Sequence, residues 1–330
     1  MTDEDHARDH DEDPRSQHSK AEDELAELVR SQDFDTAGPI RIDVSNTIGP
    51  IAIELTDTAV THVEVRHDPD SAGPDWRGGL TNLLSWVTEQ FGEAGRFGEA
   101  GRFGEAGPDF GQPITEAVRR TRIDLGGGRL VVRTPSNAPL RGVPLAVKVQ
   151  APKGSEVSVH SGSGEADITG TAGKVNVQAG SGTVTVAEAT DRANVRSGAG
   201  QLRLGTMRAG LHARSGNGDI EISAIEAASS VATGSGNVWL GVVSDDVMVR
   251  SGSGSLTVAD ATEGQLELIT GSGELQVSIH RGTAATVDIT SSTGGTRSDL
   301  DVASEPPEQE PKLHVFGRTG TGSAVLTTAT

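Results

Sequence analysis

Val157-Ser-Val-His-Ser-Gly162-Ser-Gly-Glu-Ala-Asp-Ile168 states a pattern that the chain repeats seven times. At its centre is a Gly-x-Gly turn, Gly-Ser-Gly in five of the seven units and Ser-Gly-Ser-Gly in its fullest form. The first glycines stand at Gly162, Gly180, Gly198, Gly216, Gly234, Gly252 and Gly271, so the interval is eighteen residues five times and then nineteen. A fixed period near 20 residues marks a stacked repeat architecture.

Numbered from its first glycine, each unit is apolar four and six residues on: Ala166 and Ile168, Val184 and Val186, Leu202 and Leu204, and so on to Leu275 and Val277. Five and three residues before the turn the pattern is Val157 and Val159, Val175 and Val177, Ala193 and Val195, interrupted only by Ser229. Thr, Ser, Glu, Gln, Asp, Asn and Arg fill the positions between. Each unit therefore reads as two half-buried strands joined at a corner, where glycine supplies backbone angles that a Cβ forbids. Two architectures satisfy this pattern, a β-solenoid with one unit per coil and an antiparallel meander of hairpins. The near-constant unit length favours the solenoid, because each coil must register on the one below. Seven coils at ~4.8 Å give a rod on the order of 34 Å.

Composition agrees with an all-β repeat fold. The chain has 330 residues, of which 34% are hydrophobic and 3% aromatic, with 43 glycines, which points away from a conventional enzyme core. A net charge of −19 argues against nonspecific nucleic-acid binding. The absence of cysteine excludes disulfides and thiolate metal sites. With no signal-like apolar run and no stretch of 18 apolar residues, a cytoplasmic location is expected, with the cell surface as the alternative.

Residues 1–33 form an acidic segment, predicted disordered, with at most a short helix around Leu25, Leu28 and Val29. The β-strand-repeat solenoid domain is expected over 34–330, interrupted by an insertion at 71–121. Ile40, Ile42 and Val44, then Ile51, Ile53 and Leu55, alternate as degenerate repeats. In the insertion, Leu80, Leu83, Leu84, Val87 and Phe91 share one helical face, followed by three Phe-Gly-Glu-Ala-Gly units. The β pattern resumes at Ile123. Gly126-Gly127-Gly128 lies two periods before Gly162 and so suggests a repeat corner. Beyond Ser278 an eighth unit decays at Ser291-Ser-Thr-Gly-Gly295, and Leu313, Val315 and Gly320-Thr-Gly322 make a last unit expected to be the end cap.

Reactive chemistry is sparse. Gly170-Thr-Ala-Gly-Lys174-Val175 lacks the Ser or Thr and the spacing of a phosphate loop, and no Gly-x-Ser-x-Gly elbow occurs. The outward carboxylates Glu165 and Asp167, Asp219 and Glu221, then Glu274, fall three coils apart, too far for acid–base work. Asp245, Asp246, Asp260 and Glu263 are the one set that could gather round a cation. No catalytic, cofactor-binding or metal residue is assigned. The residues that point to partner contact are Arg196, Arg214 and Arg250, in one column two residues before the glycine, and Trp239, in an outward slot. Trp86 and Phe91 in the insertion join them, with a weak membrane-interface contact expected through residues 80–122.

Pro39-Ile40-Arg-Ile-Asp-Val44 and the Ser-Gly-Ser-Gly units with Val-x-Val on either side resemble the bacterial putative-adhesin family of β-strand-repeat domains of unknown function. The resemblance spans about 34–65 and 121–330, and it carries no catalytic residues over. It implies a non-enzymatic scaffold, or a protein-interaction or surface-interaction protein. An exported adhesin is the alternative, and a carbohydrate-active enzyme is a distant third.

Overall fold

The computed structural model describes residues 29–71, 111–300 and 310–329. The repeats wind as coils. Each strand before a Gly-x-Gly turn, such as Glu156–Ser163, joins a twelve-stranded sheet, and each strand after it, such as Ala166–Ala172, joins a thirteen-stranded sheet. Pairing is parallel at an offset of one unit: Val175 lies between Val157 and Ala193, and Val184 between Ala166 and Leu202. Parallel pairing excludes the hairpin meander and makes the fold a two-sheet β-solenoid. Only the inner face of each sheet is covered, so the strands keep an apolar–polar alternation that doubly covered parallel sheets lose. Inside, the file Val159, Val177, Val195, Ala213, Val231, Val249 and Leu268 is at most 1% exposed.

The two glycines of each corner answer different demands. The second, from Gly164 to Gly273, has φ between +107° and +150°, outside the range of residues with a Cβ. The first is not left-handed. A Cβ on Gly180, Gly198, Gly216, Gly234, Gly252 or Gly271 would instead meet the carbonyl oxygen of the first glycine one coil earlier. Next to this column runs a buried ladder of hydroxyls. Thr270 Oγ1 donates to Gly254 O at 2.8 Å and Thr319 Oγ1 to Gly273 O at 2.9 Å, tying these later corners to the coil before them. The Ser161, Ser197 and Ser215 hydroxyls of the same column have no partner among the described residues.

Chain order and stacking order part company at both ends. The coil of Arg41–Ile48 and Ile51–Thr56 lies directly on Glu156–Ser163 and Ala166–Ala172, with Arg41 opposite Glu156 and Ile51 opposite Ala166. The later strands Arg129–Arg133 and Leu145–Pro152 lie outside it. Antiparallel strands then close this end: Arg122–Gly126 on Arg129–Arg133, Val60–His67 on Leu145–Pro152, and Val29–Asp35 on Val60–His67. Gly126-Gly127-Gly128 is therefore a hairpin turn, with φ +58° and +74° at Gly127 and Gly128, and not a repeat corner. The framework reaches back to Val29, in an edge strand whose side chains show no apolar alternation.

At the other end, Leu313–Thr321 and Ala324–Thr328 pair directly with Gly264–Ser272 and Leu275–Ile279. The decayed unit, Ala285–Ser291 and Thr296–Ser298, packs outside them. The expected end cap is thus an interior coil. It has kept its Gly320 and Gly322 corner and its buried Leu313, Val315 and Ala324, because it has neighbours on both sides. The decayed unit has only one neighbour, and Val287 and Ile289 are half-buried.

Of the insertion, the helix Gly111–Arg120 is described. Ala117 and Val118 are buried in the main core, and Arg30 Nη1 donates to Arg119 O at 2.9 Å and Thr121 O at 2.6 Å, a cation satisfying the carbonyl end of the helix. The helix expected over 80–91 lies outside the described residues.

Candidate functional site

In the twelve-stranded sheet, the residue two before each first glycine points outward. Strand pairing sets Arg133, Ser45, His160, Gln178, Arg196, Arg214, Ala232, Arg250, Ile269 and Arg318 in one file. All five arginines and His160 are exposed. At ~4.8 Å per strand the file spans roughly 43 Å. Arg196 and Arg214 are direct neighbours, and Arg250 follows two strands on with Ala232 between. The periodicity predicts these three. Arg318 sits two residues before Gly320 and obeys the same rule. Arg133 has no Gly-x-Gly beside it and gives no sequence signal.

Several cations elsewhere on the solenoid are paired with carboxylates. Arg208 holds Glu188 at 2.6 Å and Glu226 at 3.1 Å, Lys148 holds Glu54 at 2.8 Å, and Arg203 stands 3.8 Å from Glu221. In the file, Arg250 alone has a carboxylate, Glu267 at 3.4 Å. Among the described residues, Arg133, Arg196, Arg214 and Arg318 have no ion-pair partner. Two groups have shifted titration, each mainly through burial. Burial, then the charges of Arg214 and Arg196, hold the His212 imidazole below its usual pKa. On the thirteen-stranded sheet, burial, then Glu165 and Glu54, push the Asp167 carboxyl up.

The face with the arginine file carries two exposed apolar side chains, Met248 at 37% and Phe316 at 39%. Each stands two residues before a file arginine, Arg250 and Arg318. Both escape a sequence reading, because no period marks them: their register partners Ser230, Glu267 and Asp288 are polar. Near Arg133 the file crosses an open polar groove of about 490 Å³ lined by Ser45, Thr47, Thr134, His160 and Gln178. Asn46 there spends both amide hydrogens on Gly49 O (3.0 Å) and Leu145 O (2.7 Å).

Trp239 does not join this surface. It lies on the outer face of the thirteen-stranded sheet, in register with Glu221 and Thr257. Trp86 and Phe91 lie outside the described residues. The arginines that end the insertion are engaged locally: Arg120 holds Glu116 at 2.5 Å and Arg122 holds Asp124 at 3.0 Å. Asp167 and Glu221 are three strands apart, through Thr185 and Arg203. Asp245 and Asp246 accept backbone N–H groups of Asp246 (2.6 Å) and Gln265 (2.8 Å), and Asp260 lies 3.0 Å from His280. Among the described residues no group of three His, Cys, Asp or Glu could hold a metal ion. No helix among them is long and apolar enough to cross a membrane.

Fold and surface together define a two-sheet parallel β-solenoid with one basic outer face. The chain belongs to the Toastrack DUF4097 family, which matches residues 145–330, in accord with the resemblance carried by the Ser-Gly-Ser-Gly units. Its solved neighbours include a crystal structure described as a putative adhesin from Bacteroides fragilis, 11% identical, spanning 90% of this chain and 96% of that one with a TM-score of 0.37. A putative adhesin from Parabacteroides merdae is 10% identical over 90% and 96% of the two chains, with a TM-score of 0.29. A putative cell adhesion protein from Clostridium sporogenes is 8% identical over 91% and 98%, with a TM-score of 0.20. A search of curated proteins found no match.

Proposed function

We propose that this protein is a non-enzymatic β-solenoid scaffold that lies on an anionic envelope surface by the outer face of its twelve-stranded sheet. The observation that carries this reading is the file of five exposed arginines, four of them unpaired among the described residues, with Met248 and Phe316 beside it. A flat basic row suits a plane of anionic headgroups, where each arginine near the surface contributes about 1 kcal/mol. Exposed Met and Phe side chains add apolar contact at the boundary between headgroups and acyl chains.

Flotation of the whole chain with phosphatidylglycerol vesicles and with phosphatidylcholine vesicles tests the reading. Binding to the anionic vesicles alone is expected, weakening as salt is raised. Replacing Arg196, Arg214 and Arg250 with serine removes about 3 kcal/mol, or on the order of a hundredfold in affinity. Equal binding to both lipids, or a triple variant that floats like the parent, would sink the proposal.

A further inference from the structure

The thirteen-stranded sheet has a feature that the basic face does not use. Trp239 is 41% exposed on it. Gly241, two residues along the same strand, lies beneath the ring: a Cβ there would stand 3.2 Å from Trp239 Cη2. The indole therefore extends along its own strand over Gly241, with much of the ring left open to solvent. Gly241 is required for a second reason, because its Cβ would also meet the Ser223 carbonyl.

Across the strands the ring stands in a polar row: Arg203, Glu221, Trp239, Thr257 and Gln276 are successive register partners. Away from the ends of the rod, Val242 is the other exposed large apolar side chain of this sheet, at 43%. A protein partner calls for about 800 Å² per side with an apolar centre, which one ring and one valine do not make. A sugar asks for less. The C–H face of a pyranose packs on an open aromatic face, and its hydroxyls need donors and acceptors at the rim. Thr257 and Gln276 supply both on one side of the ring, and the Arg203–Glu221 pair supplies both on the other.

We propose that Trp239 and its row bind a neutral glycan chain running across the coils, so that successive sugars meet successive strands. Asp167, further along the same file and without an ion-pair partner among the described residues, disfavours acidic sugars. This site is independent of the basic face and can stand or fall without it.

The test is native gel electrophoresis of the whole chain through gels containing a soluble β-glucan, a xylan or a galactomannan, with hyaluronan as the anionic comparison. Retardation by at least one neutral polysaccharide is expected. Trp239→Ala should weaken it at least tenfold, Trp239→Phe should restore part of it, and Thr257→Val should weaken it less. The Arg196, Arg214 and Arg250 triple variant should be retarded like the parent. Thr257→Val and Trp239→Phe keep the test decisive if Trp239→Ala fails to fold. The proposal is overturned by no retardation in any neutral gel, by retardation that the Trp239 and Thr257 variants leave unchanged, or by stronger retardation in hyaluronan.

Discussion

Gly216 and Gly127 separate two reasons for a glycine. At Gly216 the backbone is not left-handed, yet a Cβ would meet the Gly198 carbonyl oxygen of the preceding coil. Gly127 has φ +58° and open space around it, a conformation asparagine tolerates. Gly216→Ala should destabilise the fold by about 1–3 kcal/mol, and Gly127→Asn should stay within about 0.5 kcal/mol; urea midpoints measure both. His212 supplies a pH-dependent counterpart. Its pKa is lowered in the fold by burial and by Arg214 and Arg196. Below the unfolded value near ~6.5, the unfolded chain takes up a proton that the folded chain resists. Stability contributed at His212 is therefore lost as pH falls from about 7 toward 5. His212→Asn should flatten that part of a melting-temperature profile; a profile identical to the parent's would contradict the assignment. At this scale the sequence discloses the glycine columns and Arg196, Arg214 and Arg250, because each keeps one position within the repeat unit. The reason for the first glycine stays hidden, since it lies in a carbonyl one coil away. Met248 and Phe316 stay hidden too, since each breaks the pattern only once.

Among elements, the end coils carry the lesson. Successive units eighteen apart announce their own pairing, and the parallel core follows from the period and the alternation. Nothing local announces that Arg41 pairs with Glu156, or that the unit at 313–328 slides beneath the one at 285–298. Such contacts are fixed by which coil still has two apolar neighbours to satisfy. The helix Gly111–Arg120 had usable signals, Pro113 in its first turn and Arg119 with Arg120 in its last, but the glycine-rich hexapeptides before it mask them. The stacking order makes a sharp prediction. Removing residues 311–330 also strips the decayed unit of its partners, so chains ending at 310 and at 280 should melt at the same temperature. A chain ending at 310 that melts clearly above one ending at 280 would show that 285–298 pairs directly with 264–279.

For the whole molecule, the solenoid acts as a spacer between two unlike faces. In the proposed function the basic face is set against an anionic surface and the Trp239 row is set outward from it, a division of labour that neither sheet could provide alone. The repeat makes both possible at low cost, since outward residues can change coil by coil while the inner files stay apolar. The central claim is that the twelve-stranded face is the one that meets the surface. Because the chain has no cysteine, single probes can be placed at will. An environment-sensitive fluorophore on Met248→Cys should shift to the blue when phosphatidylglycerol vesicles are added, and the same fluorophore on Thr257→Cys, on the opposite face, should not. A shift at Thr257 equal to or larger than that at Met248 would contradict the account.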